Sequence, residues 1–413
     1  MKIIFFVENN HAGGMDSFFI NVINNWPHKE DELCLICNSD HPGLPHIKNQ
    51  VKRQCQFFDH DILLSVHFVD YWFVWLPANF RRILRPFVRM AFFQYQLKSL
   101  ISIFKQVGGD RLLSVNGAYP GGETSRIANI AWNKLGRLKS VHNIRNFAIP
   151  PRLFFKWYEN RVDKLLEESV NSFIGVSKCC AESLRVRPVL KNSKKIHTIY
   201  NGVPFPEENE INNIPLDLRS VLNINDSPLC LMLGTYELRK GHEFLFKVFN
   251  KVNKNFPDAH LVICGGSTSK EYSVVDMLRK KLAPNANIHL LDFVPMGKLL
   301  INQADMLIVG SQEWESFGWT VIESMTRGIP VVSTNAGGLA EVIGEDGVAG
   351  YSIDPNDIDR FTDAICGLIQ YPYRREAMGI AGKDRVIEHF TVKRMAKDYA
   401  ELIRSNLKST LKE

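Results

Sequence analysis

The sequence predicts an α/β protein built from two doubly wound, parallel-sheet domains. Three observations carry that prediction. Short apolar and β-branched runs alternate with longer helical patterns, the alternation occurs twice, and a stretch rich in proline and asparagine separates the two occurrences. Continuous apolar strands between helices are the mark of a parallel sheet covered on both faces. A chain of 413 residues suits two or three domains. With 45% apolar and 23% charged residues it falls in the globular range, which excludes a disordered or low-complexity chain.

In the first half KIIFFV (2–7), ELCLIC (32–37), RLLSV (111–115), LKSVH (138–142) and SFIGV (172–176) read as buried strands. Helical stretches lie between them at 15–25, 123–135 and 152–170. In the second half LCLMLG (229–234), AHLVICG (259–265), NIHLLD (287–292), DMLIVG (305–310) and PVVST (330–334) repeat the pattern. The stretch 201–218 has three prolines and no apolar period, so it reads as a linker. The expected division is therefore 1–203, 204–390 and a last helix over 391–413. The two domains should face each other across a cleft, with ligands at the carboxyl ends of the strands. Met395, Tyr399, Leu402, Ile403 and Leu407 form a one-sided stripe on the last helix, which should pack on one of the domains.

The net charge of +6 is too mild to indicate nucleic acid. No signal-peptide core follows Met1, and no apolar run approaches the ~18 residues of a membrane span, so a cytoplasmic protein is expected. Eight scattered cysteines do not make a disulfide scaffold. Cys34 and Cys37 lie three apart in an apolar run, which puts them on opposite faces of a strand. Cys179 and Cys180 have no companions at zinc spacing, and no metal site is expected.

Residues 71–107 break the pattern. They hold Arg81, Arg82, Arg85, Arg89, Lys98 and Lys105 with no acid, interleaved with Trp72, Phe73, Trp75, Phe80, Phe87, Phe92 and Phe93. That combination suits a helix lying on an anionic membrane surface. A buried helix pair with its arginines on the outer face fits the same residues.

Three turns carry the chemistry. In SQEWESFGWTVIESMTRGIPVVSTNAGGLAEVI (311–343), Glu315 and Glu323 flank Gly318, where a helix should begin. Such carboxylates can accept hydrogen bonds from sugar hydroxyls, and the N–H groups of Trp319 and Thr320 in the first helical turn suit a phosphate. In LGTYELRKGHEFL (233–245), Arg239 and Lys240 at a strand-to-helix turn can neutralise a diphosphate without a divalent ion. In HAGGMDSFF (11–19), Gly13 and Gly14 follow the first strand and let a ligand approach the backbone. This is not the GxGxxG of a dinucleotide site. His142 ends a strand on the side expected to face the cleft, where it is either a structural or a catalytic residue.

Taken together these residues resemble the large retaining glycosyltransferase family 4, the glycosyl transferases group 1 type, with the GT-B fold. The resemblance runs from Gly13-Gly14 through VHN (141–143), FIGVS (173–177), IYNGV (199–203), RKG (239–241), the glutamates at 315 and 323, and NAGGLAEVI (335–343). It implies transfer of a hexose-type sugar from a nucleoside diphosphate sugar to a glycan acceptor with retention of configuration. Glu323 would bind the ribose, Glu315 the transferred hexose, and Lys240 with an arginine the diphosphate. His142 would stand beside the sugar on the acceptor side, and the catalytic set would be Glu315, Lys240 and His142. Donor binding would further involve Arg239, Gly13, Gly14, Phe317, Gly318, Trp319 and Thr320. The first domain would take the acceptor and the second the nucleotide sugar.

The implied reaction needs no cofactor and no metal. The strings Asp59-His60-Asp61 and Asp357-Ile358-Asp359 imitate a metal–diphosphate signature but lie outside the turns described above. One position departs from the family: Thr235 stands where an arginine is frequent, and Arg239 would supply that cation. A lipid-linked acceptor for cell-surface polysaccharide or lipopolysaccharide assembly, reached from the inner face of the cytoplasmic membrane through 71–107, completes the expectation. Other GT-B-like enzymes, such as a nucleotide-sugar epimerase or phosphorylase, and a non-catalytic sugar-nucleotide-binding module are the alternatives.

Overall fold

The computed structural model describes residues 1–207, 215–266, 269–282 and 287–405. Residues 208–214 of the expected linker and Leu407 of the last stripe lie outside the described residues. The chain forms two units, one of residues 1–202 with 392–413 and one of residues 203–391.

The first unit is a seven-stranded parallel sheet in the order β3-β2-β1-β4-β5-β6-β7. Its strands are β1 (Lys2–Val7), β2 (Glu32–Asn38), β3 (Gln56–His60), β4 (Arg111–Asn116), β5 (Ser140–Ile144), β6 (Val170–Gly175) and β7 (Ile196–Thr198). The two-residue period of the strands decides what covers each face. Ile3, Phe5, Val7, Leu33, Leu35 and Cys37 point to one side, where they meet Phe18, Phe19 and Val22 of the helix Gly14–Asn24. The helix Val392–Arg404 packs into the same cluster through Met395, Tyr399, Leu402 and Ile403. Ile4, Phe6, Cys34 and Ile36 point to the other side, against Leu97, Leu100 and Phe104 of the helix Ala78–Val107 and Ile127, Ile130 and Trp132 of the helix Glu123–Lys134. Each fully buried large side chain contributes roughly 1.5–3 kcal/mol. Cys34 and Cys37 thus sit buried on opposite faces, as the alternation requires.

The second unit is a six-stranded parallel sheet in the order β10-β9-β8-β11-β12-β13. Its strands are β8 (Leu229–Leu233), β9 (His260–Cys264), β10 (Ile288–Leu291), β11 (Met306–Val309), β12 (Val331–Thr334) and β13 (Tyr351–Ile353). One face is covered by Leu245, Val248, Phe249 and Val252 of the helix His242–Asn255 and by Phe361, Ile365 and Leu368 of the helix Ile358–Gln370. β3, β7 and β13, absent from the sequence expectation, are short and lie at or beside sheet edges, where alternation is incomplete and the apolar signal weak.

The segment 71–107 divides. The carboxyl half of the helix Ala78–Val107 is core. Its amino half, with the preceding helix Ser65–Trp72, leaves Trp72, Trp75, Phe80 and Phe87 exposed. The arginines are less free than the sequence suggests. Asp70, one residue before the acid-free run, pairs with Arg81 at 3.2 Å and Arg85 at 2.7 Å, and buried Glu123 pairs with Arg89 at 3.0 Å. No helix among the described residues is long and apolar enough to cross a membrane.

His142 does not stand at the strand end. Alternation along β5 turns Val141 and Asn143 one way, Asn143 donating to Tyr399 Oη at 2.9 Å, and turns His142 the other way, toward the helix Glu123–Lys134. There the imidazole is fully buried between Tyr119 and Phe173, and its Nδ1 accepts from Asn129 Nδ2 at 3.0 Å. Burial, helped by Arg126, holds its pKa down at about 3, so it is neutral at physiological pH. The ring is wholly enclosed in the core of the first unit, which is the setting of a structural histidine. Replacing it tests this: His142→Phe should cost about 1–3 kcal/mol, from the one Asn129 N–H that loses its acceptor, and leave nucleotide-sugar binding and turnover at wild-type level. Thermal denaturation and a transfer assay read the two effects. Lost turnover in a folded variant would restore the imidazole to the reaction.

Candidate active site

Three turns at the carboxyl ends of β8, β11 and β12 build a charged site within the second unit. After β8 the chain makes a short 3-10 turn, Leu238–Lys240, and Gly241 then opens the helix His242–Asn255. Gly241 has φ +72°, and a Cβ there would lie 1.9 Å from the carbonyl oxygen of Gly310, so only glycine lets the two turns touch. Gln312 N–H donates to the Arg239 carbonyl at 2.8 Å and ties the turns together.

This contact brings Arg239, Lys240 and Glu315 to one place, as the sequence motifs suggested separately. Lys240 Nζ donates to Glu315 Oε2 at 2.5 Å, and Arg239 Nη1 lies 3.6 Å from the same oxygen. All three side chains are largely buried, which strengthens their mutual attraction. Arg239 also stacks on Trp314 at 4.3 Å and pairs with Glu237 at 2.8 Å. Thr235 donates to Glu237 Oε1 at 2.7 Å, so the position that lacks an arginine supports the arginine four residues later. The Glu315 carbonyl accepts from Gly338 N–H at 2.7 Å, which fixes this turn to the one after β12.

Gly318 caps the helix Trp319–Arg327 at φ +105°, and a Cβ would meet Leu339 at 2.7 Å. The N–H groups of Trp319 and Thr320 begin this helix, and a helix N-terminus attracts negative charge. Glu323 is half-buried one turn further on. The Phe317 ring is 1% exposed and packs on Trp319 and Phe390, so it shapes the turn that leads into this helix.

Gly13 and Gly14 lie in the first unit, at the start of the helix Gly14–Asn24. Both are exposed; Asp16 caps the turn by accepting from Gly13 N–H at 2.9 Å, and a Cβ on Gly13 would meet nothing within 4 Å. The residue that does stand past the carboxyl end of β5 is Arg145, which follows His142 in the sequence and was given no role there. Its guanidinium lies 4.3 Å from the Phe18 ring and donates to Asn201 Oδ1 at 2.7 Å. Burial lowers its pKa to about 10, which still leaves it charged. Following the strand alternation three residues beyond His142 would have found it.

The two acidic strings are engaged elsewhere. Asp59 pairs with Lys48 at 2.7 Å and Asp61 accepts from Ser39. Asp357 caps the helix Ile358–Gln370, and Asp359 pairs with Lys251.

Residues 216–385 match the family model described as "Glycosyl transferases group 1". The chain is 25% identical over 194 residues to a GDP-mannose-dependent α-(1-6)-phosphatidylinositol monomannoside mannosyltransferase of Mycolicibacterium smegmatis. That alignment covers 45% of this chain and 50% of the relative, so the chain spans half of that protein's length. It is 26% identical over 284 residues to an uncharacterized glycosyltransferase, MJ1607, of Methanocaldococcus jannaschii, covering 66% and 67%. Among solved structures, Anabaena Alr3699/HepE in complex with UDP superposes with a TM-score of 0.73 at 17% identity, covering 97% of this chain and 99% of that one. With its two doubly wound parallel sheets the chain has the GT-B fold, and residues 216–385 of its second unit match the glycosyl transferases group 1 family.

Proposed function

We propose that this protein is a metal-independent glycosyltransferase that moves a hexose-type sugar from a nucleoside diphosphate sugar to a glycan acceptor, with retention of configuration. The observation that carries the reading is the cluster of Arg239, Lys240 and Glu315 beside the helix start at Gly318. The Glu315 carboxylate neutralises the two cations. A diphosphate carries more negative charge than one carboxylate and would take both cations, aided by the Trp319 and Thr320 N–H groups. Glu315 would then be released to accept hydrogen bonds from the hexose, while Glu323 holds the ribose. As the sugar–phosphate bond breaks, charge grows on the departing phosphate, and the same cations stabilise it. The solved relative bound to UDP and the mycobacterial relative that uses GDP-mannose support a nucleotide-sugar donor.

The acceptor is a lipid-linked glycan met at the cytoplasmic face of a membrane, with the first unit taking it. The name of the mycobacterial relative gives a phosphatidylinositol glycolipid as its acceptor, and the exposed aromatics and cations between 71 and 107 suit a membrane surface.

Two experiments test the donor reading. Glu315→Gln keeps the shape but weakens a charged hydrogen bond, which should lower turnover by about 1.5–3 kcal/mol of transition-state stabilisation in a folded protein. Nucleotide release with and without acceptor measures it, and near-wild-type turnover would remove Glu315 from the donor site. Transfer should also continue in excess EDTA, and proton NMR of the first product should show the donor's anomeric configuration. Activity lost to chelator and restored by manganese or magnesium would contradict the role given to Arg239 and Lys240.

A further inference from the structure

A second exposed apolar segment, 149–157, lies beside the first. Within the loop and helix start at 149–157, Leu153 is 86% exposed, Phe154 89% and Trp157 63%. Side chains of this size are seldom left so open in a group on a soluble surface. Three contacts join this segment to the helix Ala78–Val107. Phe155 packs edge-on to Phe87 with ring centroids 4.7 Å apart, Tyr158 lies 6.4 Å from Phe93, and Tyr158 Oη donates to the Arg89 carbonyl at 3.4 Å. On the other flank Phe68 meets Phe92 at 5.1 Å, which fixes the helix Ser65–Trp72 and its exposed Trp72 to the same helix.

The charges around these side chains have one sign. Residues 145–158, like 71–107, contain no acid, and Arg82, Arg152 and Lys156 are exposed. The acids at the borders are already engaged, Asp70 by Arg81 and Arg85 and buried Glu159 by Arg187 at 2.9 Å. Tryptophans and cations around a protruding apolar tip match the water–lipid interface, where indole rings sit at the headgroups and phosphates meet the cations.

We propose that Leu153, Phe154 and Trp157, together with Trp72, Trp75 and Phe80, form one surface that inserts into the interfacial layer of an anionic phospholipid bilayer. Insertion of apolar side chains holds the protein there more than charge does, because most of the arginines in 71–107 are committed to ion pairs. The proposal deepens the reading of a membrane-borne acceptor and rests on it. Binding is nevertheless measured without donor or acceptor, so a protein that transfers sugar but ignores vesicles, or the reverse, separates the two.

The test is flotation of the full chain with vesicles of phosphatidylcholine alone and of phosphatidylcholine mixed equally with phosphatidylglycerol, at low and high salt. Wild type should float with the mixed vesicles and stay largely bound at high salt. The variant Leu153→Ser/Phe154→Ser/Trp157→Ser should weaken binding at least about tenfold, given the apolar area withdrawn from the lipid. Arg82→Gln should weaken it by about fivefold or less. All three serines replace exposed residues, so the melting temperature should not change. The proposal is overturned if wild type binds neither vesicle, if the triple variant floats like wild type, or if high salt releases wild type completely. It is equally overturned if light scattering finds a wild-type dimer that the triple variant abolishes, because the surface then joins two copies of the chain.

Discussion

A parallel sheet has no face that can be left to water, and most of this structure follows from meeting that requirement twice. The strands of both units are apolar along their length, so each sheet must recruit helices on both sides. In the first unit the helix Gly14–Asn24 and the last helix, Val392–Arg404, share one face. The helix Ala78–Val107 spends only its carboxyl half on the other. Its amino half is free of the core and carries exposed aromatics without loss to the sheet. In the second unit the same requirement aligns the strands, and their carboxyl ends deliver the turns after β8, β11 and β12 to one place. The charged site is thus a product of strand order before it is a product of any single residue.

Electrostatics then sets what that place can hold. Lys240 and Arg239 would be costly to bury without a counter-charge, and Glu315 supplies it. The carboxylate therefore has two uses: it stabilises the turn and, on the proposed reading, turns to the sugar once phosphate replaces it. Gly241 and Gly318 permit the arrangement by letting backbone approach where a side chain would collide.

Much of this was legible in the sequence because strand patterning and turn chemistry are local. The buried strands, the twofold repeat of the pattern and the grouping of Arg239, Lys240 and Glu315 all depend on neighbours within a few residues or on topology that the strands dictate. What was not legible depends on direction and on distant partners. His142 sits in the expected strand, yet β5 begins and ends two residues beyond the limits read from LKSVH, so the imidazole lies within the sheet and not at its end. Phe317 adjoins a ligand-type turn but is claimed by Phe390, far along the chain. The arginines of 71–107 looked unopposed because their partners, Asp70 and Glu123, lie outside the window. The segment 149–157 gave no signal, since exposure of an apolar residue is a property of the folded surface.

The helix Val392–Arg404 belongs to the first unit although the whole of the second unit lies between it and β7. This has a consequence for the order in which the chain can fold. During synthesis, residues 1–202 emerge before the side chains of Met395, Tyr399, Leu402 and Ile403, so the part of one sheet face that the helix Gly14–Asn24 does not cover stays open. Residues 203–391 are continuous and can complete their own core before the last helix has emerged. The first unit is therefore the last to close, and an early termination of translation would leave its apolar sheet partly uncovered.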